Sequence, residues 1–239
     1  MNQSRRMKIC IFLCAAISGC TTSTDRGNAP LTEVQNKAKT QLESQMRQAA
    51  QTRETYHAMN NDALLEKLME QGKAQREPFN SPAYRELKDR RDVDSKTLVT
   101  LVKENNNSSG LLPLLLLRKL DEKSYLGLPS ELRAKILTNA LERSKYFNVW
   151  GLPNFYLEDA SRAMIETGKS AVPALKRILS DMRPAPVFGS QEAMVYQQYK
   201  YRLCDYALFF LEQIAGKRDF RMPVSPAERD VVIKEMSTK

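Results

Sequence analysis

Residues Tyr201-Arg202-Leu203-Cys204-Asp205-Tyr206-Ala207-Leu208-Phe209-Phe210-Leu211-Glu212-Gln213-Ile214-Ala215-Gly216, YRLCDYALFFLEQIAG, decide how this chain is built. Apolar side chains occupy most positions from Leu203 to Ile214, and Gly216 stops the run. Such a stretch reads as the interior of a helix buried in a larger body. Cys204 there acts as a small hydrophobe, since no histidine lies nearby in sequence to activate its thiol. The segment before it, TGKSAVPALKRILSD over 167–181, reads as a partner helix. Ser170 is placed to cap that helix, and Pro173 falls in its first turn, where a missing N–H costs nothing. Pro113 takes the same early position in GLLPLLLL, residues 110–117.

Working outward, the pattern beyond Pro82 is helical almost throughout. The spacing predicts helices over 82–91, 95–104, 111–121, 130–145, 157–167, 170–181, 203–215 and 226–237. No alternating strand or hairpin turn stands out. Upstream, Leu31, Val34, Ala38, Leu42, Met46 and Ala49 form a thin apolar stripe at helical spacing in an otherwise polar stretch. Asn60-Asn61-Asp62 reads as a break with an N-cap, before a short helix carrying Leu64, Leu65, Leu68 and Met69 on one face.

The chain also repeats itself. At an offset of 77, Ala83, Arg85, Leu98, Leu101 and Val102 fall on Ala160, Arg162, Leu175, Ile178 and Leu179. At 94, Leu114, Leu117, Leu120, Lys123 and Pro129 fall on Leu208, Leu211, Ile214, Lys217 and Pro223. At 97, Pro129, Glu131 and Ile136 fall on Pro226, Glu228 and Ile233. The first step in offset, from 77 to 94, marks an insertion of 17 residues in the second copy.

Residues 167–181 and 201–216 resemble the two helices of a HEAT repeat, with Arg202 and Asp205 near the inter-helix turn where that family places an Arg and an Asp. The departure is 182–199, where the family has a few residues. The resemblance implies stacked antiparallel helix pairs, a right-handed α-solenoid, a fold that usually binds proteins. The expected fold is all-α: a HEAT-like α-α superhelix over 79–239, with additional N-terminal helices over 31–78.

The first 30 residues carry a different message. Arg5, Arg6 and Lys8 precede an uncharged apolar run from Ile9 to Ile17, the layout of a secretory signal. The run is too short to span a bilayer, which takes about 20 apolar residues. Ile17-Ser18-Gly19-Cys20 resembles the bacterial lipobox. That resemblance implies cleavage after residue 19 and acylation of Cys20, giving an anchor worth about 0.8 kcal/mol per buried CH₂. Residues 1–19 are thus the expected signal peptide, and 20–30, TTSTDRGNAP after the cysteine, a flexible tether. Thr21, in place of an inner-membrane-retaining Asp, implies by the same family rule an outer-membrane lipoprotein facing the periplasm.

Composition narrows the function. Of the four cysteines, Cys10 and Cys14 leave with the signal and Cys20 takes lipid, so Cys204 has no disulfide partner. The formal charge falls from +9 to +6 once Arg5, Arg6 and Lys8 are removed, and no basic run or nucleic-acid module stands out. Residues 163–170, AMIETGKS, approach a P-loop but lack its first glycine and its strand, which excludes nucleotide binding. The single histidine, His57, has neither metal-ligand spacing nor a triad partner in sequence, so no cofactor, metal or catalytic group is assigned. Glu158-Asp159 reads as a helix start that complements the dipole.

Aromatic residues are the strongest lead. Thirteen of the 18 Phe, Trp and Tyr residues lie between Tyr146 and Phe220. They concentrate in two connectors, 146–156 and 183–199. The candidate partner-binding residues are Trp150, Phe155, Tyr156, Arg183, Phe188, Tyr196 and Tyr199, since Trp, Tyr and Arg dominate binding hot spots. Trp150 and Phe155 read first as core, the indole N–H bonded to a backbone carbonyl. For Phe188, Tyr196 and Tyr199, sealing and binding stand equal.

The expected function is a lipid-anchored envelope protein, serving as scaffold, accessory or inhibitor for another envelope macromolecule and binding no nucleic acid. The alternative is a periplasmic hydrolase of cell-wall or lipid substrates using carboxylates. Metabolic labelling with palmitate should mark the full chain and not Cys20→Ala; equal labelling of the two would remove the anchor.

Overall fold

The computed structural model describes residues 33–237. The predicted signal peptide, Cys20 and the tether lie outside the described residues. The chain divides into two compact units, Met1–Met46 and Arg47–Lys239. Helix α1 (Glu33–His57) is exposed along nearly all the length described, with ion pairing such as Lys37–Glu33 on its surface.

In the second unit helices follow one another closely, and five of them begin where a short polar side chain satisfies free N–H groups. Asn60 Oδ1 accepts from Ala63 N at the start of α2 (Asn61–Lys73). Ser81 does the same for Tyr84 in α3 (Pro82–Leu87), with Pro82 in the first turn. Asp94 caps α4 (Ser95–Glu104) through Lys96 and Thr97. After α5 (Leu111–Leu120), Asp121 caps the single turn of α6 (Glu122–Leu126). α7 (Ser130–Arg143), α8 (Asp159–Thr167), α9 (Val172–Ile178), α10 (Ser190–Tyr199), α11 (Leu203–Ile214) and α12 (Pro226–Ser237) complete the order. α12 opens on a reciprocal capping box, in which Glu228 N donates to Ser225 Oγ and Ser225 N to Glu228 Oε2.

Two helices are buried all round over most of their length and form the centre. In α5 every residue from Leu111 to Leu117 is buried, and in α11 every residue from Leu203 to Glu212. Each fully buried Leu or Phe contributes about 1.5–3 kcal/mol of transfer free energy. Several of the remaining helices pack against these two. α4 and α3 pack on α5 as α9 and α8 pack on α11, and α5 meets α7 as α11 meets α12. The internal repeat read from sequence therefore corresponds to a repeated set of neighbours. α7 joins the copies by packing on both α8 and α9. Gly72 lets α2 approach the turn at Ser108–Gly110, since a Cβ there would lie 2.6 Å from the Ser109 carbonyl oxygen.

Three expectations need correction. The chain does contain a hairpin: β1 (Gly151–Leu152) and β2 (Tyr156–Leu157) pair antiparallel. Its strands are two residues long, too short to alternate visibly, and the turn relies on Gly151 and Asn154 at positive φ. Ser170 does not cap α9; it lies in a 3₁₀ turn (Gly168–Ala171) and its hydroxyl donates to Ser130 Oγ at 2.8 Å. The insertion is not wholly irregular, because α10 occupies its second half.

Within α11 two acidic side chains are buried, Asp205 and Glu212, and Glu212 pairs with Lys217 at 2.7 Å. Asp205 is completely inaccessible, as is Arg229 of α12. Asp205 Oδ2 accepts from Arg202 N at 2.8 Å and Nε at 3.2 Å, while Oδ1 takes Arg202 Nη2 at 3.0 Å. Arg229 Nε sits 3.0 Å from the same Oδ1 as an ionic contact. Arg202 continues to Asp230 at 2.7 Å. Removing one member of a buried pair costs about 3–5 kcal/mol, because the partner charge stays buried. Urea unfolding of Asp205→Ala should show a loss of that order; a loss below about 1 kcal/mol would contradict the ionic centre.

Candidate functional site

The two aromatic connectors, 40 residues apart in sequence, meet in space. The first half of the insertion runs as a strap between residues 146–148 and 201–203. Ala185 N donates to Tyr201 O and Leu203 N to Arg183 O, each at 2.9 Å, and Phe147 N donates to Pro186 O at 2.9 Å. Asn148 clamps the peptide of Phe188, giving Nδ2–H to its carbonyl at 2.7 Å and accepting its N–H at 3.0 Å. Asn154 clamps Met222 in the same two-way manner, at 2.8 and 2.7 Å. Tyr206 and Tyr201 hydroxyls donate to the carbonyls of Gly151 and Pro153, each at 2.8 Å. Ser161 donates to the Trp150 carbonyl.

The backbone of both connectors is thus fastened, while several of their rings face solvent. Tyr146 is 49% exposed, Phe155 51%, Phe188 41% and Met194 of α10 70%. Phe188 packs edge-on against Phe79 at 4.9 Å and Tyr146 at 5.6 Å. Phe155 packs edge-on against Tyr199 at 5.5 Å, and Tyr199 stacks on buried Tyr201 at 5.1 Å. Tyr156 is partly exposed, its phenol pushed up to about 12 by burial, then by the carboxylates of Glu192 and Glu158. Tyr196 is half-buried against the core. Arg183 is exposed, pairs with Asp181 at 2.7 Å and donates to the Glu142 carbonyl at 2.9 Å.

Trp150 is fully buried and belongs to the core, as its first reading had it, but its indole N–H donates 2.9 Å to Ser144 Oγ rather than to a carbonyl. Phe155, also read first as core, is half exposed because it sits at the tip of the β1–β2 turn. Phe79 joins the Phe188 cluster without having been singled out in sequence; its neighbours Pro78 and Asn80 form a 3₁₀ turn, which no period reveals. The Cys204 thiol is buried and pushed up to about 12 by that burial, then by the charge of Asp205, which makes it a poor nucleophile.

His57 contacts Glu86 at 3.0 Å, and Glu86 also binds Arg90 at 3.1 Å. Asp159 starts α8 and lies 3.5 Å from Arg118, which holds Glu166 at 2.6 Å. Gly168, at φ +68°, ends α8. Among the described residues no group of three or more His, Cys, Asp or Glu could hold a metal ion. Among them too, no helix is long and apolar enough to cross a membrane. Comparison with family models, curated proteins and solved structures finds no match for this chain.

Beneath the Phe79 turn lies a cavity of about 30 Å³, lined by Arg76, Glu77, Ser108, Arg143 and Ser144 among others. It has room for one water. Glu77 Oε2 is shielded there without a hydrogen-bond partner. Burial pushes its carboxyl up to about 8, against a smaller opposing effect of a backbone hydrogen bond from Val149. Below pH 4.5 the carboxyl is protonated whether the chain is folded or not. Between 4.5 and 8 the unfolded chain loses that proton and the folded one keeps it, so stability falls as pH rises, levelling above about 8. Melting curves of Glu77→Gln should lack this contribution, which is up to about 1.4 kcal/mol per pH unit. Parallel pH dependence in both proteins would show that Glu77 is ordinary.

Proposed function

We propose that this chain is a lipid-anchored protein of the bacterial envelope, at the outer membrane facing the periplasm, whose helical body binds another envelope macromolecule. Cys20 carries the anchor and confines the body near its partner, which raises effective concentration without new contacts. We read the body as a HEAT-like solenoid; the support is the repeated order of neighbours around α5 and α11 and the placement of Arg202 and Asp205 at the start of α11. It works as a scaffold, an accessory or an inhibitor.

One observation carries the binding reading: exposed rings on a backbone that is hydrogen-bonded into place. Solvent-facing aromatics on a loose loop would lose conformational entropy on binding. Phe155 and Phe188 have backbones already held by the hairpin and Asn148, and Tyr146 adjoins Phe147, which the strap holds. Such preorganisation lowers the cost of association. The hydrolase alternative calls for two convergent acids, and the cavity under the Phe79 turn has a single carboxylate, Glu77, in its lining.

Deleting 183–199 would remove hydrogen bonds to Phe147, Tyr201 and Leu203 along with the rings, so point substitutions are the cleaner test. Crosslinking in intact envelopes followed by capture of the full chain should recover a partner. Phe188→Ala and Phe155→Ala together should cut that recovery by about tenfold or more, as hot-spot losses above 1–2 kcal/mol do. Undiminished recovery, with circular dichroism unchanged, would rule out this face.

A further inference from the structure

The ring cluster of Phe79, Tyr146 and Phe188 has a charged rim. Arg76 lies three residues before Phe79, and Arg143 and Lys145 lie three and one before Tyr146. Arg76 and Arg143 line the same cavity, so the segments that lead into Phe79 and Tyr146 bring these two guanidinium-bearing residues together. All three cations are exposed. None makes an ion pair among the described residues. Five arginines of the second unit are matched, Arg90 by Glu86, Arg118 by Glu166, Arg183 by Asp181, and Arg202 and Arg229 by Asp205, so Arg76 and Arg143 differ from these in carrying unneutralised charge, as Arg85 and Arg177 do elsewhere on the surface. Carboxylates near the rim are engaged or weakened. Glu70 takes Lys67, Asp181 takes Arg183, and burial drives Glu77 toward its neutral form. Glu142, half-buried, precedes Arg143 on the last turn of α7. The rim therefore keeps a local positive excess around rings that meet edge-on, at 62° and 83°.

We infer that this cluster docks an acidic peptide segment of the partner, an apolar side chain of that segment meeting Phe79, Tyr146 and Phe188 while its carboxylates meet Arg76, Arg143 and Lys145. The inference rests on the protein-binding reading above and names the chemistry of the partner. Guanidinium groups favour carboxylates through paired N–H donors, and rim charges set specificity and association rate. A lipid surface fits less well, since interfacial binding uses a broad apolar face along a helix, whereas three rings drawn from three short segments match one inserted side chain.

The test uses the full chain and a short synthetic peptide of Glu, Asp and Leu, labelled for fluorescence anisotropy. Its Gln/Asn counterpart and vesicles containing phosphatidylglycerol are the comparisons. The acidic peptide should bind at least about tenfold more tightly than the neutral one, and the difference should shrink with salt. The triple variant R76Q/R143Q/K145Q should erase that difference, and Phe188→Ala should weaken both peptides. Equal binding of the two peptides, or an unchanged preference in the triple variant, would overturn the inference. Vesicle binding that the triple variant loses, without peptide binding, would assign the rim to lipid instead. Envelope capture separates the two levels. Loss in Phe188→Ala with full retention in the triple variant keeps the protein-binding reading and sinks the acidic partner; retention in both sinks the two together.

Discussion

The carboxylate of Asp205, enclosed between Arg202 and Arg229, governs how the second half of this protein holds together. It stands near the start of α11, a helix buried from Leu203 to Glu212 and apolar at most of those positions. A charge in such a place is stable only when opposite charge and hydrogen bonds surround it. Arg229 meets that need and reaches further. Its Nη1 donates to the carbonyls of Pro223 at 2.9 Å and Val224 at 2.7 Å, and its Nη2 to Tyr199 at 2.7 Å. One guanidinium therefore fixes the end of α10, the approach to α12 and the start of α11 relative to one another. Apolar packing alone tolerates small slips, because it has no direction. Directed donors do not.

That rigidity passes to the aromatic connectors. Tyr199, whose carbonyl Arg229 holds, stacks on Tyr201 and meets Phe155 at the tip of the hairpin. At the other end of the insertion, Asn148 holds the peptide of Phe188 while Phe79 and Tyr146 flank its ring. The insertion is thus anchored at both ends, and its rings stand on a frame that does not have to be ordered by a partner. Reported separately, the loops would look like decoration of a helical body. Tied through Arg229 and the two asparagines, they form part of its fabric.

Much of the helical framework was legible in the sequence. The predicted helices over 95–104 and 226–237 match α4 and α12 in extent, and those over 111–121 and 203–215 exceed α5 and α11 by one residue. Periodicity and prolines in first turns are local signals, and these helices obey them. α6 escaped notice because five residues show no period; its cue was Asp121, which caps it. α10 escaped because none of its residues is buried, leaving no apolar stripe to read. A run from 190 to 199 without Gly or Pro was the available cue. Of the candidate site, the two aromatic segments were visible as composition, yet their contact across 40 residues was not. Nor was the part played by Phe79, or the unpartnered Oε2 of Glu77, since both depend on what lies across a turn.

By itself the sequence determined a mostly helical chain with two strongly apolar helical runs, one of them enclosing Cys204. Those follow from the spacing of apolar residues, a property that each short window carries alone. The tertiary structure decided which charges are buried together, which rings reach solvent and which are core. Arg229, in the helix predicted over 226–237, is wholly enclosed. Trp150 and Phe155 read alike in sequence and finished on opposite sides of the surface. Burial of a side chain depends on the elements that arrive over it from far along the chain, and no local period encodes that arrival.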